Sequence, residues 1–150
     1  MADSQKQEPT RRRFLGLSVG IAAASTCGCA LFATKRKPDL VLGPVGGVLT
    51  IPEARFSDLA GSRNSVLLLN KASSEKILLV REAPSSYFAV SSTCTHLSCD
   101  VDYSAAAHRI VCPCHGSEYD LHGRNLKGPA RRPLRQYTVR VHADRIVVET

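Results

Sequence analysis

From Val48 to the C-terminus, apolar and polar residues alternate in short runs instead of recurring at helical spacing. Six segments read as strands: 48–51 (VLTI), 65–70 (SVLLLN), 76–81 (KILLVR), 87–90 (YFAV), 137–141 (YTVRV) and 145–149 (RIVVE). They are rich in Val, Ile and Leu and are separated by Asn, Ser, Pro and Ala-Asp turns, as expected for a pleated, half-buried surface. No stretch of a dozen residues in this region keeps a 3.6-residue apolar period. The pattern predicts a small all-β domain over 48–150.

Upstream the pattern changes twice. Residues 14–33 form a run of 20 residues without a charge, enough to cross a bilayer as a helix rising about 1.5 Å per residue. Residues 35–47 carry Pro38, Gly43, Pro44, Gly46 and Gly47, which predicts a flexible linker. Fully extended, such a linker spans at most about 45 Å. The expected organisation is a membrane anchor over 1–34, a hinge linker over 35–47 and the β domain after it.

At 150 residues the chain has room for one modest core plus an appendage, so covalent or metal cross-links would add materially to its stability. The net charge of +7 and pI near 9.3 raise nucleic acid as a partner. No nucleic-acid motif accompanies the charge and aromatic residues make up only 5% of the chain, so nucleic acid is excluded as the expected partner.

The chemistry is concentrated in 94–119, CTHLSCDVDYSAAAHRIVCPCHGSEY. It contains two ligand pairs, Cys94-x-His96 and Cys112-x-x-His115, and each pair has a further cysteine beside it, Cys99 and Cys114. Two cysteines and two histidines are also the donor set of a structural zinc site. The common finger spacing begins with a cysteine pair and ends with a histidine pair, whereas here each loop mixes the two. Thiolates bind iron strongly, and imidazoles in place of two thiolates raise the potential of an iron-sulfur centre.

These residues resemble the Rieske iron-sulfur family, in the subgroup attached to quinol-oxidising cytochrome bc and b6f complexes. The resemblance implies a fold of stacked antiparallel sheets with two cluster-binding loops at one end, and one [2Fe-2S] cluster. Cys94 and Cys112 would hold one iron, His96 and His115 the other. It implies a disulfide between Cys99 and Cys114, with two buried free thiols as the alternative; a bridge requires an oxidising compartment. Leu97 matches a leucine that shields the cluster. Ser117 and Tyr119 match donors of hydrogen bonds to a bridging sulfide and to a ligand cysteine sulfur, which raise the potential. Ser98 stands where the family motif has glycine. Segment 128–134 (GPARRPL) resembles the family's proline loop, with Arg131 in place of a second proline. From Arg124 to Arg135 there are five cations and no acid, an edge that would steer an acidic cytochrome.

The N-terminal Thr10-Arg11-Arg12-Arg13-Phe14-Leu15 resembles the twin-arginine export signal, a route for proteins already folded around a cofactor. An ordinary membrane helix flanked by basic residues is the alternative. With no Ala-x-Ala site before Lys35-Arg36-Lys37, an uncleaved anchor is expected, the head lying on the periplasmic face of a bacterial cytoplasmic membrane. Cys27 and Cys29 leave lipid attachment open, although the residues ahead of them lack the leucine of a lipoprotein box.

The expected function is a redox subunit, not catalytic alone, of a quinol–cytochrome c (or plastocyanin-type acceptor) oxidoreductase. It would take an electron from membrane quinol beside a cytochrome b-type quinone-binding subunit and pass it to a c-type cytochrome. Each imidazole would bind iron through one nitrogen and keep the other N–H at the tip, so that His96 and His115 accept a proton with the electron. The second reading is the small Rieske subunit of a periplasmic molybdenum oxidoreductase such as arsenite oxidase, which commonly has Phe where Tyr119 stands.

Overall fold

The computed structural model of the chain describes residues 35–150. The export signal, the apolar run and Cys27 and Cys29 lie outside the described residues, within which no helix is long and apolar enough to cross a membrane.

Among the described residues, twelve strands form three sheets, with one α-helix and a 3-10 turn (Gly61–Arg63) between strands. In chain order the strands are β1 (Leu40–Leu42), β2 (Val48–Pro52), β3 (Ser65–Asn70), β4 (Lys76–Ala83), β5 (Ser86–Ser91), β6 (Asp102–Ser104), β7 (Arg109–Val111), β8 (Glu118–Tyr119), β9 (Asn125–Lys127), β10 (Gln136–Tyr137), β11 (Val139–Val141) and β12 (Arg145–Glu149); helix α1 (Glu53–Ala60) follows β2. The central sheet has the order β1-β3-β4-β5-β10, a second sheet β11-β12-β2 and a third β6-β7-β8-β9. All pairings are antiparallel except β1 with β3.

The central sheet is covered on both faces, which is why β3 and β4 read as nearly continuous apolar runs. Because side chains alternate along a strand, Val66, Leu68, Ile77 and Leu79 join Leu49, Ile51, Ile146 and Val148 of the second sheet in one core. Leu78, Val80 and Val90 face the other way, into a core with Val101, Ile110, Tyr119, Leu121 and Leu134. Each fully buried Leu, Ile or Val contributes roughly 1.5–3 kcal/mol relative to exposure. The second core lies directly beneath the candidate site, so the segments carrying the chemistry are attached to a rigid sheet.

Helix α1 has no counterpart among the expected elements. Its 8 residues are fewer than a periodicity test needs, and it is held by tertiary contacts. Phe56 and Ala60, one turn apart, are buried, and Phe56 packs edge-on against Tyr87 at 5.2 Å. Glu53 accepts the Tyr87 hydroxyl hydrogen bond at 2.7 Å and pairs with Arg81 at 3.4 Å.

Two further departures concern boundaries. The expected strand 137–141 is divided at Thr138: Tyr137 pairs with Ala89 in the central sheet, whereas Val139 pairs with Val148 in the second. The expected linker 35–47 contains β1, paired from Leu40↔Leu68 to Leu42↔Asn70. Asp39 anchors this strand, its backbone N–H donating to Leu67 O at 2.8 Å and its carboxylate accepting the Leu67 N–H at 2.8 Å. A Pro- and Gly-rich composition thus conceals an edge strand whose partners are 28 residues downstream.

Candidate metal centre

Two loops of similar construction converge at the end of the third sheet. In the first, Cys94 N–H donates to Cys99 O at 2.8 Å and Ser98 N–H to Cys94 O at 3.0 Å; in the second, Cys112 N–H donates to Ser117 O at 2.8 Å and Gly116 N–H to Cys112 O at 3.0 Å. Each turn needs a left-handed residue four positions after its cysteine. Gly116 supplies it with φ 71° and Ser98 with φ 58°. The glycine missing from the first loop is therefore replaced by a serine held in a conformation that ordinarily favours glycine.

Cys94 and Cys112 are 2% and 1% exposed, and their sulfurs interact. Burial pushes the Cys94 thiol up, but hydrogen bonds from Tyr119 and the backbone N–H groups of His96 and Leu97 outweigh it and bring it below the usual thiol value. Burial also raises Cys112, against the N–H groups of Cys114 and His115, and the neighbouring Cys94 keeps it raised. Two adjacent buried thiols, each facing two backbone N–H groups, favour an ionised pair once a cation is present.

The rings of His96 and His115 lie edge to face with centroids 4.8 Å apart. His115 is exposed and His96 half-buried, but His96 Nδ1 is buried without a hydrogen-bond partner. An orphaned ring nitrogen is costly in a folded protein, and a metal ion removes that cost. With the thiol pair beneath, the donors available are two sulfurs and two imidazoles, a set that fits a [2Fe-2S] centre.

The other two cysteines of the described residues are already used. Cys99 and Cys114 form a disulfide across 15 residues, with Cα atoms 6.5 Å apart. Their sulfurs lie with that of Cys112 within 4.8 Å of one another, but only Cys112 of the three remains free to bind metal. The bridge joins the two loops beside the thiol pair.

The remaining expected residues fall around the same point. Tyr119, fully buried, has its hydroxyl 3.4 Å from Cys94 Sγ and 3.2 Å from Thr95 Oγ1. Burial and the interaction with Cys94 raise its phenol to about 12, so it remains protonated and able to donate. Ser117 Oγ, buried, accepts the Ala130 N–H at 3.0 Å, which leaves its own O–H free to donate. Leu97, next to His96 in the first loop, is 47% exposed.

Three contributors were not singled out from the sequence. Thr95 donates to Arg132 O at 2.7 Å, tying the third loop to the first; its place between Cys94 and His96 was the available signal. Asp100, 2% exposed, accepts from Lys76 Nζ at 2.6 Å and from the Arg36 N–H at 2.6 Å. Lys35 Nζ donates to Ser98 O at 2.6 Å. The last two contacts join segments over 60 residues apart in sequence and have no local signature.

Residues 52–138 match the family model of the Rieske [2Fe-2S] domain. The cytochrome b6-f complex iron-sulfur subunit of Chlorobaculum tepidum is 32% identical over 92% of this chain and 74% of its own length. Subunit 2 of the same name from Trichormus variabilis is 32% identical over 94% and 85%. Among solved structures, the plasma membrane Rieske protein PetC3 of the cyanobacterium Synechocystis superposes with a TM-score of 0.54 at 32% identity, covering 61% of this chain and 91% of that one.

Proposed function

We propose that this chain, which belongs to the Rieske [2Fe-2S] domain family, is the electron-transfer subunit of a quinol-oxidising cytochrome b6f or bc-type complex, taking an electron and a proton from membrane quinol and delivering the electron to a c-type cytochrome. The observation that carries this reading is the buried Tyr119 hydroxyl 3.4 Å from Cys94 Sγ. Hydrogen bonds to ligand sulfur raise the potential of such a centre, and a high potential is what withdrawal of electrons from quinol requires. Tyr119 also weighs against the molybdenum-oxidoreductase reading, in which Phe is common at this place.

When bound, the [2Fe-2S] cluster supplies a one-electron couple. Cys94 and Cys112 are assigned as thiolate ligands of one iron, His96 and His115 as ligands of the other. His96 would bind through Nδ1, its buried and unpartnered nitrogen; the other ring nitrogen then holds a proton at the tip, where quinol approaches. Leu97 and the disulfide limit water around the thiolates. The exposed His115 presents a second imidazole edge to a docking partner, so donor and acceptor meet the same end of the domain.

We further assign 1–34 as an export signal and uncleaved anchor of twin-arginine type, and the β domain, which takes in β1 from the segment expected to be the linker, as the redox domain on the outer face of the membrane. A relative named as a complex subunit and a solved plasma membrane protein support attachment to a membrane complex. The test is redox titration of the membrane-bound protein followed by electron paramagnetic resonance, together with quinol–cytochrome c reduction in membranes. A rhombic [2Fe-2S] signal and loss of that activity on deletion of the chain are expected; a colourless zinc protein, or a cluster whose loss leaves quinol oxidation intact, contradicts the proposal.

A further inference from the structure

Five cations between Arg124 and Arg135 would form a broad basic edge if all were available, but the fold neutralises three. Arg124 Nε lies 2.7 Å from Asp120 Oδ2, Lys127 Nζ 2.9 Å from Glu118 Oε1, and Arg135 Nη1 3.2 Å from Glu75 Oε1. Arg135 is further occupied over the ring of Tyr137 at 4.9 Å. Arg131 and Arg132 are exposed, and among the described residues neither side chain has an ion-pair, hydrogen-bond or ring partner.

These two lie beside the candidate ligand His96. A groove of about 560 Å³ runs between the first and third loops, lined in part by Thr95, His96, Ser98 and Arg132. A second, of about 370 Å³, shares Thr95, His96 and Arg132 and adds Pro129 and Arg131. No acidic residue lines either. On the Ser98 side, Lys35 donates to a carbonyl and so keeps its charge uncompensated by that contact. The arginines are also positioned: Thr95 holds the Arg132 carbonyl at 2.7 Å and Ser117 the Ala130 N–H at 3.0 Å.

We infer that this groove receives the carboxylates of an acidic electron-acceptor protein, and that Arg131 and Arg132 recognise them. The inference rests on the electron-transfer reading above and adds the chemistry of the partner. The guanidinium fork matches carboxylate in two parallel hydrogen bonds. Because the pair is exposed, its main effect is on encounter: a local positive field raises the association rate of an anionic partner and fades with salt over a Debye length of about 8 Å at physiological ionic strength.

The test uses the full-length, cluster-loaded protein in detergent. The reduced protein is mixed in stopped flow with ferricyanide, an anionic one-electron oxidant that becomes ferrocyanide, or with tris(phenanthroline)cobalt(III), a cationic one that becomes cobalt(II). Separately, it is titrated calorimetrically with an acidic and with a basic c-type cytochrome. In R131Q/R132Q the ferricyanide rate at low salt is expected to fall about tenfold and to lose most of its salt dependence. The cobalt rate should not fall, and binding of the acidic cytochrome should weaken. R131K/R132K should retain most of the ferricyanide rate. R140Q, which removes one positive charge from the three-stranded sheet where Arg140 pairs with Glu149 at 2.6 Å, should change none of these. The inference is overturned if R131Q/R132Q behaves as the parent toward both oxidants, if R140Q has the same effect as the double change, or if the basic cytochrome binds as well as the acidic one. Calorimetry does not depend on electron transfer, so a protein without the [2Fe-2S] spectrum would defeat the parent reading while the charge effect is still measured.

Discussion

The Tyr119 hydroxyl is shared between Cys94 Sγ at 3.4 Å and Thr95 Oγ1 at 3.2 Å, while Thr95 in turn holds the Arg132 carbonyl at 2.7 Å. One buried phenol therefore connects a candidate ligand to the third loop. Tyr119→Phe removes the hydrogen bond and little volume. If that bond is stronger in the reduced state by about 1 kcal/mol, the reduction potential falls by about 40 mV for a one-electron couple, with the cluster still assembled. Protein film voltammetry measures this directly; an unchanged potential would show that Tyr119 does not donate to the sulfur.

The disulfide closes 15 residues, for which chain-entropy reasoning gives about 3 kcal/mol. Cys99→Ser is expected to lower the urea midpoint accordingly and to accelerate bleaching of the cluster on warming, because the two loops lose their covalent link. Peptide mapping after alkylation without reductant should leave Cys99 and Cys114 unlabelled in the parent protein; labelling of both would exclude the bridge.

Asp100 links the base of the first loop to the segment before β1. Asp100→Asn leaves Lys76, 2.6 Å away and 19% exposed, without its countercharge. Breaking a buried pair costs up to about 3–5 kcal/mol, and the partial exposure of Lys76 puts the expected loss nearer 2 kcal/mol. Trypsin should also cleave sooner after Lys35 and Arg36, since the Arg36 N–H loses a charged acceptor. Parent-like proteolysis would show that the segment is held by β1 pairing alone.

Tyr87 is held at about 12, first by burial and then by its hydrogen bond to Glu53. The unfolded phenol ionises near 10, so the folded state keeps a proton that the unfolded state gives up. This contribution is complete below about pH 10 and is lost as pH rises toward 12. Tyr87→Phe should be less stable at neutral pH and lose stability less steeply above pH 10 in urea titrations; parallel curves would remove the phenol as the cause.

The candidate donors could be picked out because a metal centre constrains residue type and spacing locally: Cys94, His96, Cys112 and His115 sit in two short turns, each closed by its own backbone hydrogen bonds. The central strands were legible for a similar reason, since burial on both faces writes a continuous apolar run into β3 and β4. The small sheet β6–β9 was not, because strands of two or three residues carry no measurable period.

What the sequence determined by itself is therefore the mainly β class and the set of candidate donors, both written in neighbouring residues. Only the tertiary structure decided which charges remain free. Arg124, Lys127 and Arg135 look the same in sequence as Arg131 and Arg132, yet their carboxylate partners Asp120, Glu118 and Glu75 are brought to them by a turn, a strand pairing and a contact 60 residues away. It likewise decided that residues 40–42 form a strand, since an edge strand is defined by the partner whose hydrogen-bonding groups it fills, and that partner is β3.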